Sequence, residues 1–515
     1  MAISSKPEEK FAFLFTGSAS QQYVEDIRKV LETLIKFYGY LPENIDVVSG
    51  ESIPDFVVPD PPDPNNIFHT SGLAEYVLSG SDEQALKDDL QAKIESFMTA
   101  AAIPVSSLNR NCSFMYFTGI GSFASPFYQL EIGKISGTPP TSVNVRQNWL
   151  TPIINANTDF TDNNHLNIVM QQSNSYGFWS GIGGLSNISN VNTQLSFTAA
   201  CDVGETIAAN SAGSEFTDYW NNALRLIPRG TIYADQETTD ASSPEPVTNL
   251  LVSMKKAFIY ADNQAGLTPK YEFKGSSEQY LGLPSFLIRD GDQQVPANWW
   301  WESPDIFLTH PDNPDPDAQD DTYHADTENI VNVNVTNNGT HPVRSFYIGS
   351  IIFLSGGGGV GESVVHIVSI ILKPGESYEH SYSYDFSGTE THRCIRAKAQ
   401  IELILEEDLD QDGISDVAWA IEDNDNEAQR NLDQFVVKKS SSPTVDPGNA
   451  KVEEDDAEEE AEPVTETGEG EQEQTIPEDE KGAKSLRNIR GLKEHLYVVK
   501  NIFDKPHKFM VVFPE

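Results

Sequence analysis

Three runs of this sequence carry residues placed for chemistry. Phe114-Met115-Tyr116-Phe117-Thr118-Gly119-Ile120-Gly121-Ser122 and the run from Leu166 to Gly177 are apolar stretches that end in small polar residues. Each reads as a buried strand leaving a sheet into a tight turn, which is where α/β folds place reactive groups. The groups on offer are the Ser173 hydroxyl and, on a third run from Phe197 to Thr206, the Cys201 thiol. A thiol attacks as a thiolate released by a neighbouring imidazole, and a hydroxyl needs a positioned base because its pKa is far higher. Ile120, at the end of the first run, can neither give nor take a proton. The amides of Gly121 and Ser173 would remain as an oxyanion-like cradle.

A fourth stretch is suited to a cation. In Asp408-Leu409-Asp410-Gln411-Asp412-Gly413-Ile414-Ser415-Asp416, carboxylates alternate before a glycine, so a loop can wrap several oxygens around Ca²⁺ with the Ile414 carbonyl as a further ligand. Trp419 stands where an EF-hand would carry its bidentate glutamate, and the competing reading is an acidic turn between two strands. The candidate ligands are therefore Asp408, Asp410, Asp412, Ile414 and Asp416, and the candidate cofactor is Ca²⁺. The run Gly356-Gly357-Gly358-Gly359-Val360-Gly361 has the letters of a dinucleotide loop but no helix after it, and reads as a hairpin loop. Asp312 to Asp321 lacks a turn glycine and is broken by prolines, so it reads as a solvated loop. His69 and His165 are the histidines nearest in sequence to these runs, and neither ends a strand beside Ser173.

The elements that must hold these groups follow from periodicity. Phe11 to Phe15 is a continuous apolar run closed by Thr16-Gly17. Tyr23, Val24, Ile27, Val30, Leu31, Leu34 and Tyr38 mark one face of a helix, and Ile45 to Val48 is a second strand, which makes a βαβ unit. Pro54 to Asn66 reads as a surface loop. Ser81 with Gln84 predicts a capping box for a helix whose buried side is Leu86, Leu90, Ile94 and Phe97. Helices are also expected over 215–226 and 247–260. This order implies a mostly parallel sheet with helices on both faces.

From Trp299 the pattern changes to alternation, in Ile330 to Val335, Ser345 to Ile348, Val364 to Val368 and Ala397 to Leu405. The turn dipeptides Asn338-Gly339 and Pro374-Gly375 lie among them, which together argue for an immunoglobulin-like β-sandwich. Between Pro443 and Lys481 the chain is acidic and low in apolar residues, as expected of a disordered linker. Leu496 to Val499 and Phe509 to Phe513 read as two C-terminal strands. A lone pair of strands is not stable in water, so they must join a sheet of their own chain or of a neighbour. The expected domains are 1–295, 296–440, the linker 441–485 and the strand pair 486–515.

The first two motifs resemble those of the caspase and metacaspase family of cysteine peptidases. In that family one strand ends in Ser/Thr-Gly-His-Gly and a later one in Asp-x-Cys-His-Ser-Gly. Thr118-Gly119-Ile120-Gly121 is similar to the first with Ile120 in place of the histidine. Gln171-Gln172-Ser173-Asn174-Ser175-Tyr176-Gly177 is similar to the second with Ser173 in place of the cysteine and Gln171 in place of the aspartate. Phe197 to Thr206, with Phe216-Thr217, resembles the next strand and helix, and Ala257 to Ala261 with Thr268 to Tyr271 resembles the end of bacterial caspase-like domains. The resemblance spans roughly the first 290 residues and implies a caspase-like domain that has lost its catalytic dyad. The region after it resembles adhesion-type sandwich modules, and the aspartate loop resembles the calcium loops of thrombospondin-type and dockerin-type repeats.

Three functions follow as expectations. The first is a non-catalytic, protein-binding or assembly component. The second is an active cysteine- or serine-type endopeptidase using Ser173 or Cys201 with a histidine from elsewhere. In that case an Ala-Cys pair ending a strand would make Cys201 a rival nucleophile, against a buried structural thiol. The third is a structural subunit that assembles through its C-terminal strands. With 78 acidic against 34 basic residues the formal charge is −44, which disfavours nucleic acid and anionic membrane as partners. Three scattered cysteines do not make a disulfide framework or a zinc site. No stretch has the layout of a signal peptide or a membrane span, so a cytoplasmic location is the default expectation, with leaderless export as the alternative.

Overall fold

The computed structural model describes residues 6–53, 73–103, 110–190, 193–207, 212–230, 232–234, 251–262, 266–276, 279–289, 302–310, 322–325, 327–344, 346–353, 361–386, 392–400, 427–434 and 508–512. Continuous apolar runs become the strands of a seven-stranded sheet, because a strand buried on both faces has no side to leave polar. In chain order the elements are β1 Lys10–Thr16, α1 Gln21–Tyr38, β2 Ile45–Ser49, β3 Ala74–Val77, α2 Glu83–Ala101 and β4 Asn111–Thr118. A small antiparallel sheet follows, β5 Gly121–Ala124, β6 Phe127–Ile135 and β7 Thr141–Arg146. Then come α3 Leu150–Ala156, α4 Thr158–Asn163, β8 Asn164–Gln171, α5 Gly177–Ser180, β9 Gln194–Ala199, α6 Glu215–Leu224, α7 Met254–Asp262 and β10 Lys270–Lys274.

The large sheet has the order β10-β9-β8-β4-β1-β2-β3 and is parallel except for β10, which runs antiparallel to β9. Both faces are covered. Phe13, Phe15, Met115, Phe117, Ile168 and Met170 pack toward α2, α3 and α4, while Leu14, Phe114, Tyr116 and Val169 pack toward α1, α6 and α7. The expected helix face of α1 is the buried one, from Val24 to Tyr38, and the helix ends on Gly39 in the left-handed conformation. Two expectations are corrected. The N-cap of α2 is Asp82, whose carboxylate accepts from the Ala85 amide, because Ser81 lies one residue before the first free N–H groups. The helix expected over 247–260 begins at Met254, after Ser253 has turned its hydroxyl to accept from the Lys256 amide.

The second region is an immunoglobulin-like sandwich of two mainly antiparallel sheets. Its strands are β11 Phe286–Leu287, β12 Ile306–Thr309, β13 Thr322–Tyr323, β14 Glu328–Asn337, β15 Phe346–Phe353, β16 Gly361–Val368, β17 Ser377–Asp385, β18 His392–Gln400, β19 Glu427–Gln434 and β20 Lys508–Val512. One sheet holds β11, β14, β12 and β17; the other has the order β13-β19-β18-β15-β16-β20. Alternation supplies the core between them, with Val331, Val333 and Val335 of β14 facing Phe346, Ile348, Ile352 and Ile395. Asn338-Gly339 does not close a hairpin, since β14 pairs with β17 rather than with β15. The C-terminal strand joins its own chain, with β20 alongside β16 in parallel.

The aspartate loop from Asp408 to Asp416, the glycine run up to Val360, the run from Asp312 to Asp321, His69, the acidic linker and Leu496 to Val499 lie outside the described residues. Among the described residues no helix is long and apolar enough to cross a membrane.

Candidate functional site at the strand ends

The parallel register brings the strand ends level. Thr16 pairs with Thr118, Thr118 with Gln171, and Met170 with Ala199, so the turns after β1, β4, β8 and β9 meet along one edge. The two motifs singled out in the sequence are adjacent here. A Cβ on Gly121 would overlap the Ser173 carbonyl oxygen, so only glycine lets these two backbones touch. Ile120 projects outward, 43% exposed, and its carbonyl accepts from the Glu131 amide at 2.9 Å.

The nucleophile candidates are all engaged in local bonds. Ser173 Oγ accepts from the Ile207 amide at 2.9 Å. Ser175 Oγ donates to the Cys201 carbonyl at 3.1 Å and accepts from the Cys201 amide at 3.2 Å. Cys201 Sγ, fully buried, lies 3.3 Å from the Gln172 carbonyl. Burial pushes the Cys201 thiol pKa up, against the contribution of its Ser175 hydrogen bonds, which keeps it in the unreactive form. Asn174 takes a left-handed conformation, with its amide donating to the Glu205 carbonyl and its Oδ1 accepting from the Gly204 amide. These bonds tie the β8 turn to the β9 turn.

His165 lies at the other end of β8, paired with Cys112 and Gln194. Six residues of strand separate it from Gln171, roughly 20 Å at about 3.3 Å per residue, so it is no base for Ser173. Gln171 faces the α1 side, 1% exposed, and neither polar atom of its side chain has a hydrogen-bond partner.

Two buried acids beside this edge, Asp26 and Glu131, were not singled out in the sequence. Asp26, on the buried face of α1, accepts from the Ser214 amide at 2.7 Å, from Ser214 Oγ at 2.6 Å and from Thr118 Oγ1 at 3.3 Å. Burial raises its pKa to about 6, against the lowering effect of those bonds. The signal for it was an aspartate inside the apolar stripe between Tyr23 and Ile27. Glu131, on β6, is also buried, with Lys134 Nζ at 3.9 Å.

The sheet β5 to β7 lies across the edge and was not foreseen. Glycines let it approach: a Cβ on Gly17 would overlap the Glu131 carbonyl and one on Gly50 the Ile132 carbonyl. A Cβ on Gly177 would enter the Tyr128 ring, so β6 also packs on the β8 turn. The result is an edge walled by β6, floored by the strand ends and fronted by Ile120.

No protein-family model matches the sequence, and no curated protein matches it. Among solved structures, the chain is similar to caspase-1 from Spodoptera frugiperda, at 10% identity over 55% of this chain and 92% of that one, with a TM-score of 0.32. It is similar to protein GSU0716 from Geobacter sulfurreducens at 9% identity, over 52% of this chain and 94% of that one, with a TM-score of 0.27. The CARDB domain of the PF1109 protein from Pyrococcus furiosus matches at 16% identity over 22% of this chain and 84% of that one, with a TM-score of 0.15. The fold class itself stands on the strand order: a mostly parallel seven-stranded α/β sheet joined to an antiparallel sandwich.

Proposed function

We propose that this chain is a non-catalytic, caspase-like protein whose strand-end cleft holds a peptide without cutting it. The observation that supports this most is the state of the nucleophile candidates: Ser173 and Ser175 are bonded to backbone, Cys201 is buried, and Ile120 stands where a base would be needed. Acyl transfer requires a nucleophile and a base in mutual reach, and neither Ser173 nor Cys201 has a histidine beside it among the described residues. What the edge does offer is the backbone of the turns and the exposed Ile120 side chain, groups suited to binding.

The test is turnover of a mixed fluorogenic peptide library, with and without calcium, by the intact protein and by an Ile120→His, Ser173→Cys double variant. The expected result is silence from the intact protein and measurable turnover by the variant. Turnover by the intact protein would establish the rival reading, an active serine- or cysteine-type endopeptidase.

One observation favours a second reading, a structural subunit. β20 completes the edge of β16 after 73 intervening residues from the end of β19, and a second copy's β20 could pair there instead. That reading expects a size that grows with concentration and falls back when the chain is truncated before Ser485. The same size for both chains at every concentration would contradict it.

A further inference from the structure

We propose that His366 and His380, with the Tyr382 hydroxyl as a third donor, form a site for a borderline divalent transition-metal ion such as Zn²⁺ between the two sheets of the sandwich. His366 stands on β16 and His380 on β17, strands of opposite sheets joined by a short connection. Tyr382 follows His380 by two residues, so both point to the same side of β17. The two imidazole centres are 4.5 Å apart and the His366 and Tyr382 rings 4.7 Å apart. Two imidazoles on one Zn²⁺ at about 2.0–2.1 Å put their ring centres roughly 4.5–5.5 Å apart, so the spacing fits shared ligation.

Two observations converge on a ligand. His366 is only 9% exposed, and the Nε2 atoms of both histidines are out of solvent without a hydrogen-bond partner. Buried polar atoms are almost always satisfied, so two unsatisfied imidazole nitrogens on rings this close call for an acceptor of their lone pairs. The oxygen of Tyr382, itself buried, is the third donor of the set. Nitrogen and phenolic oxygen donors select a borderline ion over Ca²⁺ or Mg²⁺. Such an ion would clamp the two sheets together where His366 pairs with Val512 of the C-terminal strand. The site is in the sandwich and does not rest on the reading of the strand-end cleft.

The test uses the metal-stripped full-length chain, titrated calorimetrically with ZnCl₂ and followed by thermal denaturation. The expected result is one Zn²⁺ per chain and a raised Tm, with affinity weakened at least about 100-fold in His380→Gln. It should be unchanged in His324→Gln, which alters another close histidine pair, His310 and His324 with ring centres 3.8 Å apart. Equal affinity in the intact chain and in His380→Gln, or loss only in His324→Gln, would overturn the proposal. Co²⁺ added to the intact chain gives a readout without any variant. Intense visible bands of a low-coordinate nitrogen-bound ion support the site, and the weak spectrum of the hydrated ion overturns it.

Discussion

The strand ends of the α/β sheet and the interior of the sandwich both gather polar side chains that could act on a ligand, and they treat them in opposite ways. At the strand ends Ser173, Ser175, Cys201 and Asp26 are each committed to hydrogen bonds that hold turns together. In the sandwich, His366 and His380 sit side by side with Nε2 atoms that have no hydrogen-bond partner among the described residues. A hydroxyl or thiol committed to backbone is part of the scaffold, whereas a buried lone pair without a partner is capacity for binding. The strand ends thus have their hydroxyls and thiol tied into turns, and the proposed site in the sandwich has two ring nitrogens left over.

That contrast can be broken or sharpened by substitution. The largest effect is expected where β6 closes on the strand ends. Gly17→Ala should destabilise the chain by about 3 kcal/mol, because the new methyl meets the Glu131 carbonyl, a backbone atom that cannot swing aside. Gly375→Ala in the sandwich should lose only about 1 kcal/mol, since open space surrounds its Cβ position and the strain of its positive φ alone is felt. Urea denaturation of the two variants side by side measures the difference, and equal losses would mean that β6 does not close on the edge.

Next in size is the pH dependence set by Asp26. Its pKa in the folded chain, about 6, lies above the ordinary 3.8, so the folded state holds the proton more firmly between those values. Its contribution is therefore greatest below pH 3.8, declines as pH rises through 6, and is flat above. The decline is on the order of 2–3 kcal/mol. Asp26→Asn should remove that slope, so the stability difference between wild type and variant should change by this amount from pH 4 to pH 7. A difference independent of pH would show that Asp26 is not buried as an acid.

The smallest effect is that of Ser173→Ala, about 1 kcal/mol for the loss of an acceptor to the Ile207 amide. If Ser173 were a nucleophile with an activating partner elsewhere, the substitution would abolish an activity while leaving stability almost untouched. A denaturation midpoint read together with peptide turnover separates the two roles.

Much of the scaffold was legible in the sequence because it rests on local pattern. The apolar runs at Phe11 and Phe114 and the stripe from Tyr23 to Tyr38 are written in consecutive residues, and β1, β4 and α1 follow from them. The pairing of Gly121 with Ser173 was legible only through the resemblance of the two motifs, since nothing local joins residues so far apart. The sheet of β5 to β7 escaped because its strands are short and Pro126, Pro139 and Pro140 in its turns draw the eye more than the alternation between them. Asp26 carried a signal, an acid in an apolar stripe, but its partner Ser214 is 188 residues away, brought in by the start of α6. His366 likewise belonged to a strand that alternation foretold. Its meeting with His380 depends on which sheet each strand joins, and turn residues alone do not determine that.

The most direct measurement is covalent labelling of the native full-length chain with a serine-directed fluorophosphonate and, separately, a peptidyl acyloxymethyl ketone, read by mass spectrometry. Hydroxyls and thiols committed to structure predict no adduct at Ser173, Ser175 or Cys201 in the native state, with Cys201 reacting only after denaturation. Stoichiometric modification of any of the three in the folded chain would contradict the account and make the strand ends an active site.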